Sequence, residues 1–165
     1  YGCFTMSFTI TTQSAKETKK AARLLAGEIV RARPDRVGTR GAVVLALSGD
    51  LGAGKTTFAQ GFAAALGVKE KVKSPTFVLM KIYELKQEAG IKKQGFRHFV
   101  HVDCYRVQYQ KDLLHLGMRN LLKDHDAIVL IEWAERVKKI LPRDTVRIYF
   151  SHGAKANDRR MKIGK

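Results

Sequence analysis

Gly49-Asp50-Leu51-Gly52-Ala53-Gly54-Lys55-Thr56 combines backbone freedom, one cation and one hydroxyl in the order that grips a phosphate chain. Glycines let the N–H groups from Gly52 through Ala53 and Gly54 to Thr57 turn inward and approach phosphate oxygens without a Cβ in the way. A helix opening at Lys55 aims its positive end at the same anion. Lys55 supplies a point charge for the β- and γ-phosphates, and the Thr56 hydroxyl is placed to ligate Mg²⁺. The run matches G-x-x-x-x-G-K-[ST] in full, between an apolar run before it and an apolar-rich helical segment after it. That context points to a nucleoside triphosphate held with Mg²⁺.

Such a site needs a second acid for the metal, at the end of a neighbouring buried strand. Ala127-Ile128-Val129-Leu130-Ile131-Glu132 has that form, so Glu132 joins Thr56 as the expected metal pair. Read alone, an apolar strand ending in Glu is common, and an ordinary strand end is the competing reading. Asp103 also ends an expected strand; it could orient water, hold Mg²⁺ through water, or cap a turn. Trp133, the sole tryptophan, could stack on a base or belong to the core. No Asn-Lys-x-Asp guanine-reading pattern follows Glu132, which favours ATP over GTP.

These residues require strands and helices to hold them. Phe4–Ile10 alternates as a strand, Thr11–Ser14 offers N-caps, and a helix is expected from Ala15 to Ala32, before Pro34. Ala42–Ser48 is a continuous apolar run, the signature of a strand buried on both faces, and a helix runs from Lys55 to Leu66. Further strands are expected at Phe77–Leu85, Phe96–Val102, Ala127–Ile131, Thr145–Phe150 and Arg160–Ile163, the last two as a hairpin across Gly153–Asp158. Helices are expected at Leu113–Leu122, weakened by Gly117, and at Glu135–Leu141. Strands alternating with helices give an α/β fold of P-loop NTPase type, a mainly parallel central sheet flanked by helices with antiparallel additions.

The 165 residues suit one domain spanning 1–165. Met6 is a candidate start, which would make Tyr1–Thr5 an upstream remnant. No apolar run reaches membrane-span length and no secretory signal is read, so a cytoplasmic protein is expected. Cys3 and Cys104 have neither metal-type spacing nor a disulfide framework, consistent with a reducing compartment. Thirty-one Lys and Arg against 15 Asp and Glu leave a net charge of +16, with basic residues thickening after Trp133. A field of that sign favours polyanions, whether RNA, DNA, acidic proteins or anionic lipid; a general compositional bias is the plainer reading.

Four blocks together resemble the TsaE (YjeE) family of small bacterial ATPases of tRNA threonylcarbamoyladenosine synthesis. They are GDLGAGKTT at Gly49–Thr57, KSPTF at Lys73–Phe77, HVDCYR at His101–Arg106 and IEWAE at Ile131–Glu135. The resemblance implies that Gly52 to Thr57 bind the phosphates of ATP and that Thr56 and Glu132 hold Mg²⁺. It implies a switch-like loop at Ser74-Pro75-Thr76 near the γ-phosphate, with Asp103, Lys55 and Thr76 acting there. Trp133 and Glu135 would lie near the nucleoside. Ser14, before the first helix, and an Arg of the last strands would complete the site, with Arg160 chosen over Arg159. The implied partners are the TsaD and TsaB proteins; the +16 charge separately admits direct contact with tRNA through the basic surface, or attraction to an acidic partner protein. The chain departs from the family pattern at Ala134, where Pro is usual. It also departs in the scarcity of acids across Gln108–Leu116 and in a longer, basic Lys86–Gly95 connection. A small-molecule kinase and a nucleotide-gated adaptor with negligible hydrolysis are the alternatives.

Overall fold

The computed structural model describes residues 7–32, 41–75, 77–85 and 95–164. The chain enters through β1 (Phe8–Thr12) and turns at Ser14 into α1 (Ala15–Arg31). Ser14 Oγ accepts from the Glu17 N–H at 3.2 Å, while Glu17 Oε2 accepts from the Gln13 N–H at 2.8 Å. This reciprocal arrangement satisfies one amide of the first helical turn, that of Glu17, and the Gln13 amide just before the cap. Thr18, Ala22, Ala26 and Val30 recur every four residues and form the buried stripe of α1.

β2 (Val43–Gly49) leads through the glycine loop into α2 (Lys55–Ala65). Then come β3 (Met80–Glu84), β4 (His98–Asp103), α3 (Gln110–His115), α4 (Met118–Lys123) and β5 (Ala127–Glu132). Two short 3₁₀ turns (Ala134–Arg136 and Lys138–Ile140) precede β6 (Val146–His152) and β7 (Arg159–Gly164). One seven-stranded sheet runs in the order β1-β7-β6-β2-β5-β4-β3. Its centre, β6-β2-β5-β4, is parallel. β7 and β1 on one side and β3 on the other are added antiparallel.

Strand alternation divides the core between the faces. Leu45, Leu47, Ile128, Leu130, Phe99 and Phe150 pack with α1 and α2, against Phe58 and Phe62. Val44, Ala46, Val100, Val102, Val129 and Ile131 pack instead with Leu113, Met118 and Val137. Cover on both faces explains why β2 and β5 read as unbroken apolar runs. Gly61 marks the tightest helix contact: a Cβ there would lie 2.6 Å from both Cα and O of Lys19.

Three expected elements differ. Phe77–Leu79 belongs to a turn, not a strand: Leu79 has φ of +62°, so β3 begins only at Met80. The helix expected over Leu113–Leu122 is two short helices, because Gly117 adopts φ of +83° between them. The helix expected at Glu135–Leu141 is the pair of 3₁₀ turns. Of the strand expected at Phe4–Ile10, residues 4–6 lie outside the described residues, and the strand present runs Phe8–Thr12. Most of the Lys86–Gly95 connection also lies outside them. Among the described residues no helix is long and apolar enough to cross a membrane.

Candidate nucleotide-binding site

Parallel pairing brings the carboxyl ends of β2, β5 and β4 to one edge, where open α/β sheets bind ligands. Leu47 is in register with Glu132, and Glu132 with Asp103, so the glycine loop and both acids emerge side by side. The loop leaves β2 at Gly49, whose φ is +112°. A Cβ on Gly49 would stand 1.9 Å from the Phe150 carbonyl oxygen, which accepts from the Asp50 N–H at 3.2 Å. Only glycine allows this approach of the loop to β6. At the other end Gly54, with φ of +101°, is the N-cap of α2 and brings no side-chain cap. The first amides of α2 are thereby left for an incoming anion.

Lys55 is almost fully buried, and its Nζ donates to the Gly49 and Asp50 carbonyls at 2.7 Å each. The same ammonium lies 3.8 Å from the centroid of the Trp133 ring, a cation–π contact. Burial pulls the Lys55 pKa below its ordinary value, opposed by the charges of Glu135, Glu132, Asp50 and Asp103. Thr56 Oγ1 donates to Glu132 Oε2 at 2.7 Å, and His101 Nε2 lies 2.8 Å from Glu132 Oε1. Asp103 Oδ1 accepts from the Tyr105 N–H at 2.9 Å, and Oδ2 accepts from the Ser74 hydroxyl. Ser74 thus ties the segment before β3 to the acid at the end of β4. Trp133 turns the chain away from β5 with φ of +58°, its ring 5.1 Å from that of Tyr105.

Two clefts flank the loop. One is walled by Gly52, Lys55, Thr56, Glu132 and Trp133, so it joins the phosphate loop to the acid of β5. The other lies between Gly52, Gly54 and Thr57 on the loop side and Ala15, Thr18, Asn157 and Arg159 opposite. An apolar groove elsewhere is walled by Phe8, Ile10, Leu24, Leu25 and Ile163, with Glu17 and Glu28 beside Lys20 on its lining, a poor match for phosphate. A turn holding Asp124, His125 and Asp126 has metal-type donors but lies before β5, at the far end of the strand from Glu132.

The structure brings together Gly52, Gly54, Lys55, Thr56, Thr57, Glu132 and Trp133 around the first cleft, with Ala53 buried beneath the loop. Glu135 borders an adjoining hollow with Ser48, Asp50 and Tyr149. Ser14 serves as the α1 cap, one residue before Ala15 of the second cleft. Of the two arginines, Arg159 enters that cleft, its guanidinium donating to the Ala156 and Asp158 carbonyls at 2.8 and 2.9 Å. Arg160, the next residue of β7, is exposed and lies in register with Ser151 and Thr11. Strand alternation puts it on the opposite face. Thr76 lies outside the described residues. Sequence reasoning gives no site role to Thr18 or Asn157, nor to His101 at the head of the HVDCYR block. His101 carried a signal all the same, as a polar residue inside an apolar strand and two positions before Asp103.

Comparison with known proteins gives consistent results. The sequence profile described as "Threonylcarbamoyl adenosine biosynthesis protein TsaE" matches residues 12–161. The tRNA threonylcarbamoyladenosine biosynthesis protein TsaE of Bacillus subtilis is 35% identical over 137 residues, 83% of this chain and 73% of that protein. Its counterpart from Haemophilus influenzae is 36% identical over 110 residues, 67% and 63% of the respective chains. The crystal structure of Bacillus subtilis YdiB superposes with a TM-score of 0.70 at 26% identity, covering 99% of this chain and 88% of that one.

Proposed function

The chain belongs to the TsaE family, and from that premise we propose that it binds ATP with Mg²⁺ and hydrolyses it in the service of tRNA threonylcarbamoyladenosine synthesis. The observation that carries this reading is the Thr56–Glu132 hydrogen bond of 2.7 Å beside the lysine of a complete phosphate loop. A hydroxyl and a carboxylate so close, at a helix N-terminus, are the hard oxygen donors that suit Mg²⁺. Thr56 and Glu132 would hold the ion, which when bound would supply positive charge against the charge developing on the phosphates.

With Thr56 and Glu132 at the γ-phosphate end, the α-phosphate and nucleoside fall toward Thr57. The cleft of Ala15, Thr18, Asn157 and Arg159 then receives the nucleoside. In this reading the Trp133 ring steadies the Lys55 ammonium, and Glu135 adds to the field around the lysine. Lys55 exchanges the Gly49 and Asp50 carbonyls for phosphate oxygens when the nucleotide arrives. Asp103, oriented by the Tyr105 amide and the Ser74 hydroxyl, orients the attacking water and accepts its proton. Thr76 and Arg160, chosen from the sequence, stand in this scheme as a residue of the γ-phosphate loop and as a surface cation.

The partners in this proposal are the TsaB and TsaD proteins, with turnover resetting their complex in the cytoplasm. The net charge of +16 supports direct contact with tRNA as well. The test is phosphate release by the purified chain, alone and with TsaB and TsaD. A slow basal rate that rises with the partners, and is lost in Lys55→Ala, is expected. Equal rates with and without the partners refute the coupling, and transfer of phosphate to a small molecule would make the protein a kinase. For tRNA, retention on filters that weakens steeply with salt is expected. No retention at low salt removes tRNA from the list of direct partners.

A further inference from the structure

His101 is fully buried in β4, its ring stacked on Phe99 at 6.4 Å between centroids. Its Nε2 lies 2.8 Å from Glu132 Oε1, and its Nδ1 has no partner among the described residues. A polar ring with one nitrogen unpaired is a poor choice for filling a sheet core, since an apolar residue would pack there without that penalty. The arrangement makes sense through Glu132. A carboxylate only accepts, so the bond takes its proton from His101 Nε2. Each Glu132 oxygen therefore receives one donor, Oε1 from His101 on β4 and Oε2 from Thr56 on α2. Two donors on opposite oxygens fix both the rotation and the depth of the carboxylate.

We propose that His101 is a positioning residue for the metal site, holding Glu132 so that Oε2 faces Thr56 and a cation bound beside it. The idea rests on the Mg²⁺–ATP reading above and deepens it. Groups that orient a metal ligand from behind typically change metal affinity 10- to 100-fold when removed. Their loss leaves metal-free ligand binding alone, because His101 touches neither the loop nor either cleft.

The experiment measures affinity for a non-hydrolysable ATP analogue across a Mg²⁺ titration and in excess chelator, together with thermal unfolding. The variants are His101→Leu, His101→Gln and His101→Asn. Glutamine carries an amide N–H to the position of Nε2; asparagine falls short of it; leucine has no donor. The half-saturating Mg²⁺ concentration should rise about tenfold or more in H101L and H101N and return to within about threefold of wild type in H101Q. Affinity in chelator should be the same for all. Should H101L fail to fold, the contrast between H101Q and H101N decides. A wild-type Mg²⁺ requirement in H101N, or a defect in H101Q equal to that in H101N, overturns the role of His101 while leaving the Mg²⁺–ATP reading intact. Wild-type binding that ignores Mg²⁺ overturns both.

Discussion

Substituting Gly61 with alanine tests whether the spacing of α1 and α2 sets the nucleotide cleft. In an isolated helix the change would stabilise by about 1 kcal/mol, since alanine is the better helix former. Here the new methyl would sit 2.6 Å from both Cα and O of Lys19, with Lys19 C at 3.0 Å. Those are backbone atoms, so no side chain can rotate away, and the helices must separate by about 0.8 Å to restore ordinary contact. Overpacking of this kind costs about 1–3 kcal/mol; against unyielding backbone the upper end applies, and less the helix gain about 2 kcal/mol of destabilisation remains. For a protein of this size the melting temperature should fall by roughly 4–8 °C. Thr18, adjacent to Lys19, walls the second cleft, so the same displacement should weaken nucleotide affinity severalfold. Calorimetric melting and nucleotide titration on G61A and wild type are the measurements. A variant that melts as high as wild type, with unchanged affinity, would refute both the packing argument and the link to the cleft.

Asp103→Asn should keep its contact with the Tyr105 amide and hold nucleotide affinity within about threefold, yet lower turnover at least about 100-fold, as single-turnover kinetics would show. Gly49→Ala places a methyl against the Phe150 oxygen at φ of +112°; about 3 kcal/mol or more should be lost in urea unfolding, and phosphate binding with it. Raising the pH should weaken nucleotide binding earlier than an ordinary lysine would, because burial lowers the Lys55 pKa and its charge disappears as pH passes that lowered value. An affinity flat up to alkaline unfolding would contradict this. Burial pushes the Cys104 thiol up to about 12 from 9.0. Below pH 9 both folded and unfolded chains keep the proton, so the group contributes nothing to pH dependence there. Between 9 and 12 only the unfolded chain ionises, and stability falls by up to about 1.4 kcal/mol per pH unit. Cys104→Ala should flatten that slope in denaturant titrations, and native Cys104 should resist alkylation at neutral pH.

Much of the site could be read in the sequence because its residues are contiguous or end a strand of obvious type. Gly49–Thr56 needs no knowledge of the fold to be seen as a phosphate loop, and Ala127–Glu132 announces a buried strand with an acid at its end. What escaped was set by register and by long-range packing. Whether Arg159 or Arg160 faces the second cleft depends on how β7 pairs with β1 and β6, since a shift of one residue exchanges the faces. Asn157 lies in a turn with no periodicity to mark it, and Thr18 looks like any small residue on the inner stripe of a helix. The break at Gly117 was foreshadowed by its residue type, but only the positive φ turned a weak helix into two. Leu79 gave no warning, because a leucine in the left-handed region is held there by its surroundings and not by its own preference.

The pairing of β1 with β7 also bears on when the site comes into being. Residues 8–12 lie in register with 159–163, so the second cleft has one wall from near the start of the described chain and another from near its end. Contacts between such distant segments close the largest loop the topology contains, and loop closure of that size slows folding. During synthesis the glycine loop and the acids of β4 and β5 would emerge well before Arg159. A nascent chain lacking β7 would carry the whole phosphate motif and still lack the Arg159 wall of the second cleft, so that cleft waits for the last strand.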